Sequence, residues 1–158
     1  MNQHPNEKIS LQTLKILWLG LLVSQLSFLA ALYYVLQTKE PLDVGEEFVY
    51  GFAVAALVIF ALSFFVPKFV LKATKAEFLR QRGLQDSKQV SDDDLLKNFF
   101  APFVLRMALL EAVTLMGFGL AYTTGKFEHF LLFFAVGVTF HFTFFPSLQK
   151  VKDSFLKA

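Results

Sequence analysis

The sequence contains no cysteine, and its four long apolar stretches contain almost no charge. Without cysteine there are no disulfide bonds and no thiolate metal sites. The apolar stretches are residues 16–36, 48–66, 99–122 and 130–145, and Arg106 and Glu111 are the only charged residues within them. The helices of a soluble domain carry charge on their outer faces, and a disordered chain is far less hydrophobic than the 55% found here. The sequence therefore predicts a membrane protein.

Motifs of common catalytic and metal sites are also missing. There is no Gly-rich phosphate loop, no Gly-x-Ser-x-Gly elbow and no His-Glu-x-x-His pair. The three histidines, His4, His129 and His141, are too scattered to indicate a metal site. We therefore expect no enzymatic activity, no metal and no cofactor. A net charge of +2 gives no reason to expect a nucleic acid as partner.

The apolar stretches predict an all-α polytopic membrane protein with four transmembrane helices in two hairpins. A bilayer core of about 30 Å needs roughly 20 helical residues. The predicted spans are about 16–36, 48–66, 99–122 and 127–145, within a single integral membrane domain, 1–158. Small and large residues alternate over 134–142, which in water would favour a strand, but in lipid a lone strand leaves its backbone groups unpaired. The first span is too long for the apolar part of a cleavable signal peptide and is predicted to be retained.

The distribution of Lys and Arg predicts the orientation. Twelve of these residues lie before span 1, between spans 2 and 3, or after span 4, whereas only Lys39 and Lys126 lie in the other two loops. Cytoplasmic loops of membrane proteins are enriched in Lys and Arg. The sequence therefore predicts a protein of the bacterial inner membrane with both termini in the cytoplasm. We expect the acidic segment 37–47 and Lys126 on the outer side of the membrane, and Gln85 on the cytoplasmic side.

The cytoplasmic connection between spans 2 and 3, about 68–98, is predicted to be a helical hairpin. The first helix should continue past Pro67 to about Arg82 and end at Gly83, and the second should begin after Ser91 and continue into span 3. One interpretation of its basic residues is a docking surface for anionic lipid or an acidic partner. We favour the simpler alternative, an anchor for spans 2 and 3, because acidic residues dilute the charge.

Polar residues within the spans are the candidate site. Glu111 lies at the centre of span 3, and an ionisable residue at that depth costs on the order of 3 kcal/mol to insert. Gln25 is at a matching depth in span 1, and we expect it to bond Glu111, with Thr114 nearby. Arg106 lies about 140° around the helix from Glu111, and we expect it to form a second cluster with His141.

Two interpretations of the Glu111 region remain open. In the first, its hydrogen bonds are structural and help to hold a subunit of a homo-oligomer or larger membrane complex. A row of small residues in span 1 would support close helix packing; it comprises Gly20, Ser24, Ser27 and Ala31. In the second, Glu111 is a titrating carboxyl group that carries a proton or cation. In both interpretations we expect membrane lipid to surround the protein.

Segment 108–117, Ala-Leu-Leu-Glu-Ala-Val-Thr-Leu-Met-Gly, resembles the carboxylate-bearing helix of rotary ATP synthase c subunits. The four-span layout is also similar to the duplicated proteolipid of vacuolar-type ATPases, with Gln25 in the place of a second carboxylate. This resemblance implies that Glu111 is the ion carrier of a ring. The chain differs from that family because its carboxylate is on the first helix of its hairpin and its fourth span is rich in Phe. In general layout it looks like a small four-span protein of the bacterial inner membrane.

Overall fold

The computed structural model describes residues 10–38, 40–83 and 90–157, and over these residues the chain is helical with no strand. Some residues used in the predictions above lie outside this part of the chain: His4, Lys8, Lys39, Gln85 and Lys88. The helices are α1 Leu11–Leu36, α2 Glu46–Arg82, α3 Asp92–Thr124, α4 Phe127–Thr143 and α5 Leu148–Lys157. The predicted all-α class is therefore confirmed, including the helix over the alternating segment 134–142.

Local signals account for the helix ends. The Ser10 and Ser91 side chains accept hydrogen bonds from the backbone N–H groups of Thr13 and Asp94 at the starts of α1 and α3. Helices α2 and α3 end at glycines in the left-handed conformation, Gly83 (φ 62°) and Gly125 (φ 69°). The predicted caps at Gly83 and Ser91 are thus confirmed.

Two prolines lie inside continuous helices. Helix α2 passes through Pro67 and continues to Arg82, as predicted, and α3 passes through Pro102. Proline removes one backbone donor from a helix, but the apolar residues on both sides of each proline keep a face packed against the bundle. Both prolines are themselves buried.

Three helices, α1, α2 and α3, are long and apolar enough to cross a membrane. Helix α4 has 17 residues and ends at Thr143, two residues before the predicted end of the fourth span. Helix α4 reaches the length and apolar content of a membrane span only when it is counted together with α5, and the chain bends by 91° between the two helices. Three helices, or four if this bent pair counts as one span, therefore have the length and composition of membrane spans.

Helix α5 was not predicted from the sequence. Ser147 caps its start by accepting from the backbone N–H of Lys150 at 3.3 Å. The helix is amphipathic, with Val151 and Phe155 fully buried and lysines on the other side. The Lys75 ammonium donates to the Phe155 carbonyl at 2.7 Å, and Lys152 pairs with Asp92 at 2.8 Å. These contacts fix α5 across the cytoplasmic ends predicted for α2 and α3.

Helix α3 is central to the fold. It contacts each of the other four helices, and α1 packs on α3 and α4 rather than on its chain neighbour α2. The first predicted hairpin is therefore not a packed helix pair within the described residues. The loop before α2 instead crosses the end of α3, where the Leu42 N–H donates to the Thr123 carbonyl at 3.0 Å.

The outer surfaces of α1 and α2 are apolar. Large side chains there are 38–75% exposed, among them Ile16, Leu19, Val54, Leu57 and Phe69. A water-soluble monomer rarely exposes so continuous an apolar surface. A lipid environment covers it at no cost, which agrees with the lengths of the helices.

Candidate functional site: a polar cluster between three helices

Glu111 on α3 faces α1. The Ser24 hydroxyl donates to Glu111 Oε1 at 2.6 Å, and this hydrogen bond joins the two helices. Both residues are half-buried. Hydrogen bonds to a carboxylate are among the stronger ones in proteins. The prediction that Gln25 bonds Glu111 is wrong. Gln25 follows Ser24 in the chain, but its side chain faces α4.

Gln25 instead belongs to a buried pair with His141. The Gln25 Nε2 and His141 Nδ1 atoms are 3.5 Å apart, and both side chains have no exposed surface. His141 Nε2 lies 2.8 Å from the Trp18 carbonyl oxygen, and the Trp18 indole N–H donates to the His141 carbonyl at 2.9 Å. A reciprocal pair of hydrogen bonds therefore fixes α1 against α4.

The partners of His141 define its tautomer. A carbonyl oxygen only accepts, so Nε2 must carry the proton that is donated to Trp18. In the neutral ring, Nδ1 is then an acceptor and takes a hydrogen bond from the Gln25 amide nitrogen. Gln25 Oε1 is then the free end of the amide, and it lies 3.6 Å from the position that a Cβ atom on Gly137 would take.

Helices α3 and α4 pack closely at two glycines, Gly117 and Gly137. A Cβ atom on Gly137 would collide with Thr114 Oγ1, and one on Gly117 would collide with the Phe133 side chain. Small residues allow such close packing between membrane helices. Two fully buried atoms here, Gln25 Oε1 and Thr114 Oγ1, have no hydrogen-bond partner among the described residues.

Arg106 is separate from this cluster. Its Nε atom donates to the Ser63 carbonyl of α2 at 3.3 Å, and its guanidinium carbon lies 4.5 Å from the centre of the Phe144 ring. No carboxylate of the described residues lies within 4.0 Å of it. The predicted cluster of Arg106 with His141 is therefore not formed, because His141 points to α1.

The row of small residues on α1 lies beside Glu111. Gly20, Ser27 and Ala31 are exposed, and a Cβ atom on Gly20 would meet nothing within 4 Å. Ser24 of this row is half-buried and donates to Glu111, whereas the Ser27 hydroxyl donates to the Val23 carbonyl of its own helix. Apart from Ser24, the residues of this row therefore form an exposed face of α1.

Trp18 is the site residue that sequence analysis missed. It is the only tryptophan of the chain, and it lies seven residues before Gln25. Residues seven apart occupy nearly the same side of a helix, so this spacing was the available signal that Trp18 and Gln25 share a partner helix.

No family model, curated protein or solved structure matches the chain. The class of protein therefore follows from the structure itself. Over its described residues the chain is all-helical, three or four of its helices are long and apolar enough to span a membrane, and a polar cluster lies between α1, α3 and α4.

Proposed function

We propose that the chain is a non-enzymatic integral membrane subunit that assembles into a homo-oligomer or a larger membrane complex. The observation that carries this proposal is the position of Glu111. Its carboxyl group is half-buried and bonded to Ser24, next to the open face of Gly20, Ser27 and Ala31. Hydrocarbon offers a partly exposed carboxyl group no hydrogen bonds, whereas a second helix packed on this face would cover it.

The proposed topology has four spans, with α4 as the fourth and both termini in the cytoplasm of a bacterial cell. Its support is the charge distribution between the loops. Reporter fusions should place Gly45 and Lys126 outside and Gln85 inside. A reporter at Gln85 that is active only on the outer side would contradict this orientation.

The assembly is tested with a matched pair of glycine variants. Gly20 on α1 and Gly51 on α2 are both exposed, and a Cβ atom added to either would have no other atom within 4 Å. Gly20→Leu should separate the oligomer, because the larger side chain blocks close helix contact, whereas Gly51→Leu should leave it intact. Native mass spectrometry in mild detergent measures the number of copies. Equal behaviour of the two variants, whether both associate or both dissociate, would contradict the proposed interface.

The alternative is a proton- or cation-handling subunit with Glu111 as carrier. One observation favours it. Two buried oxygen atoms, Gln25 Oε1 and Thr114 Oγ1, have no hydrogen-bond partner among the described residues, and Thr114 is about one helical turn from Glu111. Oxygen atoms without partners are suited to a proton donor or a small cation. The resemblance to c subunits of rotary ATP synthases implies the same role for Glu111.

Substitution of Glu111 separates the two functions. Glu111→Gln keeps an acceptor for Ser24, so a structural site should retain its stability and oligomeric state. Glu111→Leu should lower the free energy of unfolding by about 1 kcal/mol, because Ser24 loses its acceptor. Unfolding in detergent mixtures measures both variants. Wild-type stability of Glu111→Leu would contradict the structural role.

Dicyclohexylcarbodiimide tests the carrier role, because it modifies protonated carboxyl groups in apolar surroundings. A carrier Glu111 should be labelled more slowly as the pH rises, and Glu111→Gln should abolish both labelling and transport. Absence of labelling at every pH would contradict the carrier role.

A further inference from the structure

A groove lies where α3, the α4–α5 turn and α5 meet, with a volume of about 280 Å³. Four phenylalanines form its apolar walls: Phe99, Phe103, Phe144 and Phe145. Its charged lining consists of three cations, Arg106, Lys150 and Lys157, and one carboxylate, Asp153. The groove therefore combines apolar surface with an excess of positive charge.

Two cations of this groove, Arg106 and Lys150, have no carboxylate partner among the described residues. Arg106 uses its Nε atom on the Ser63 carbonyl, and a guanidinium group has four further N–H donors. The Lys150 ammonium donates to the Thr143 carbonyl at 3.0 Å. Neither residue has a carboxylate within 4.0 Å in the part of the chain that the structure describes. Their positive charge is thus available to an external anion.

The cytoplasmic hairpin is different, because several of its cations are already engaged. Arg80 pairs with Glu77 at 2.7 Å and Arg82 with Asp94 at 2.9 Å, while Lys75 donates to a backbone carbonyl of α5. These pairs favour the anchor interpretation of the hairpin. The groove beside α5 combines three cations and one carboxylate with apolar walls.

The orientation of α5 places the groove at the depth of lipid headgroups. Helix α5 makes an angle of 91° with α4, so it lies along the membrane surface if α4 crosses the membrane. Its apolar residues Val151 and Phe155 point inward and are buried. The groove also includes Phe99 and Phe103 of α3, which lie at the cytoplasmic start of the predicted third span, where lipid headgroups meet acyl chains.

We propose that this groove binds one anionic phospholipid. The lipid phosphate would accept hydrogen bonds from Arg106 and Lys150, since guanidinium groups bind phosphate through two parallel N–H donors. An acyl chain would lie against Phe144 and Phe145. This inference requires the membrane location but not the proposed oligomer, and the two can fail separately.

The test uses the full-length protein in detergent and titrates it with phosphatidylglycerol, with bound lipid counted by native mass spectrometry. The double variant Lys150→Gln and Lys157→Gln changes two exposed side chains, so folding should be unaffected. Binding should weaken about fivefold per lysine. The matched control is Lys68→Gln with Lys72→Gln, two exposed lysines of α2, which should leave the affinity unchanged.

Two further measurements test whether the bound phosphate belongs to a lipid or to a soluble anion, and whether Arg106 contributes to binding. Inorganic phosphate at constant ionic strength should not displace the lipid, and Arg106→Gln should reduce binding further while the helix content stays unchanged. Displacement by inorganic phosphate would overturn the proposal in favour of a soluble anion. An equal loss of affinity in the α2 control, or wild-type affinity of the Lys150 and Lys157 variant, would also overturn it.

Discussion

Gly137→Ala should lower the free energy of unfolding by about 1–3 kcal/mol, the usual cost of placing an extra methyl group in a well-packed core. The new Cβ atom would collide with Thr114 Oγ1 between α3 and α4. Thr114 is fully buried and β-branched, so its side chain has few alternative rotamers, and relief of the contact requires a strained rotamer or a shift of the helices. Unfolding of the purified protein in mixed detergent micelles measures the change.

Two controls distinguish this collision from a general effect of removing glycine. Gly51→Ala adds a methyl group where nothing lies within 4 Å, and it should be neutral or stabilise by up to about 1 kcal/mol, because alanine favours helix. Thr114→Ala combined with Gly137→Ala removes the colliding hydroxyl and should recover much of the loss. A single variant Gly137→Ala as stable as wild type would show that α3 and α4 are not packed as described.

His141→Leu is expected to destabilise the fold to a similar extent, by about 1–3 kcal/mol. The substitution puts an apolar residue of comparable size in place of the imidazole, but it removes the contact to the Gln25 amide and the hydrogen bond to the Trp18 carbonyl. The fully buried Gln25 side chain then loses the partner of its amide nitrogen. Polar contacts between membrane helices average about 0.6 kcal/mol, so the unpaired amide accounts for most of the expected loss. Unfolding in the same mixed micelles measures it.

A double-mutant cycle isolates the interaction of Gln25 with His141. Gln25→Leu together with His141→Leu removes both polar groups, and replacing both partners by apolar groups is often close to neutral. The double variant should therefore be more stable than His141→Leu alone. Additive losses from the two single variants would show that these side chains do not interact.

The sequence was sufficient for helices α1 to α4 and for several of their ends. Helix boundaries depend on local chemistry: Ser91 caps α3, and Gly83 adopts the left-handed conformation that ends α2. The fourth apolar stretch was harder, because its 17-residue helix is short and the turn before Ser147 depends on packing. Helix α5 was missed because its apolar residues are few, and they are buried only by contact with α2 and α3.

The polar cluster shows what only the tertiary structure decides. Ser24 and Gln25 differ in depth by about 1.5 Å but in direction by about 100°, so both matched the depth of Glu111 and only one faces it. Rotation of α1 about its axis is set by the helices on which it packs, α3 and α4, and not by α1 itself. The sequence by itself determined which segments are helical and apolar, because length and hydropathy are local properties. The tertiary structure decided that Ser24 meets Glu111 and that Gln25 meets His141, because such pairs depend on how separate helices are turned toward each other.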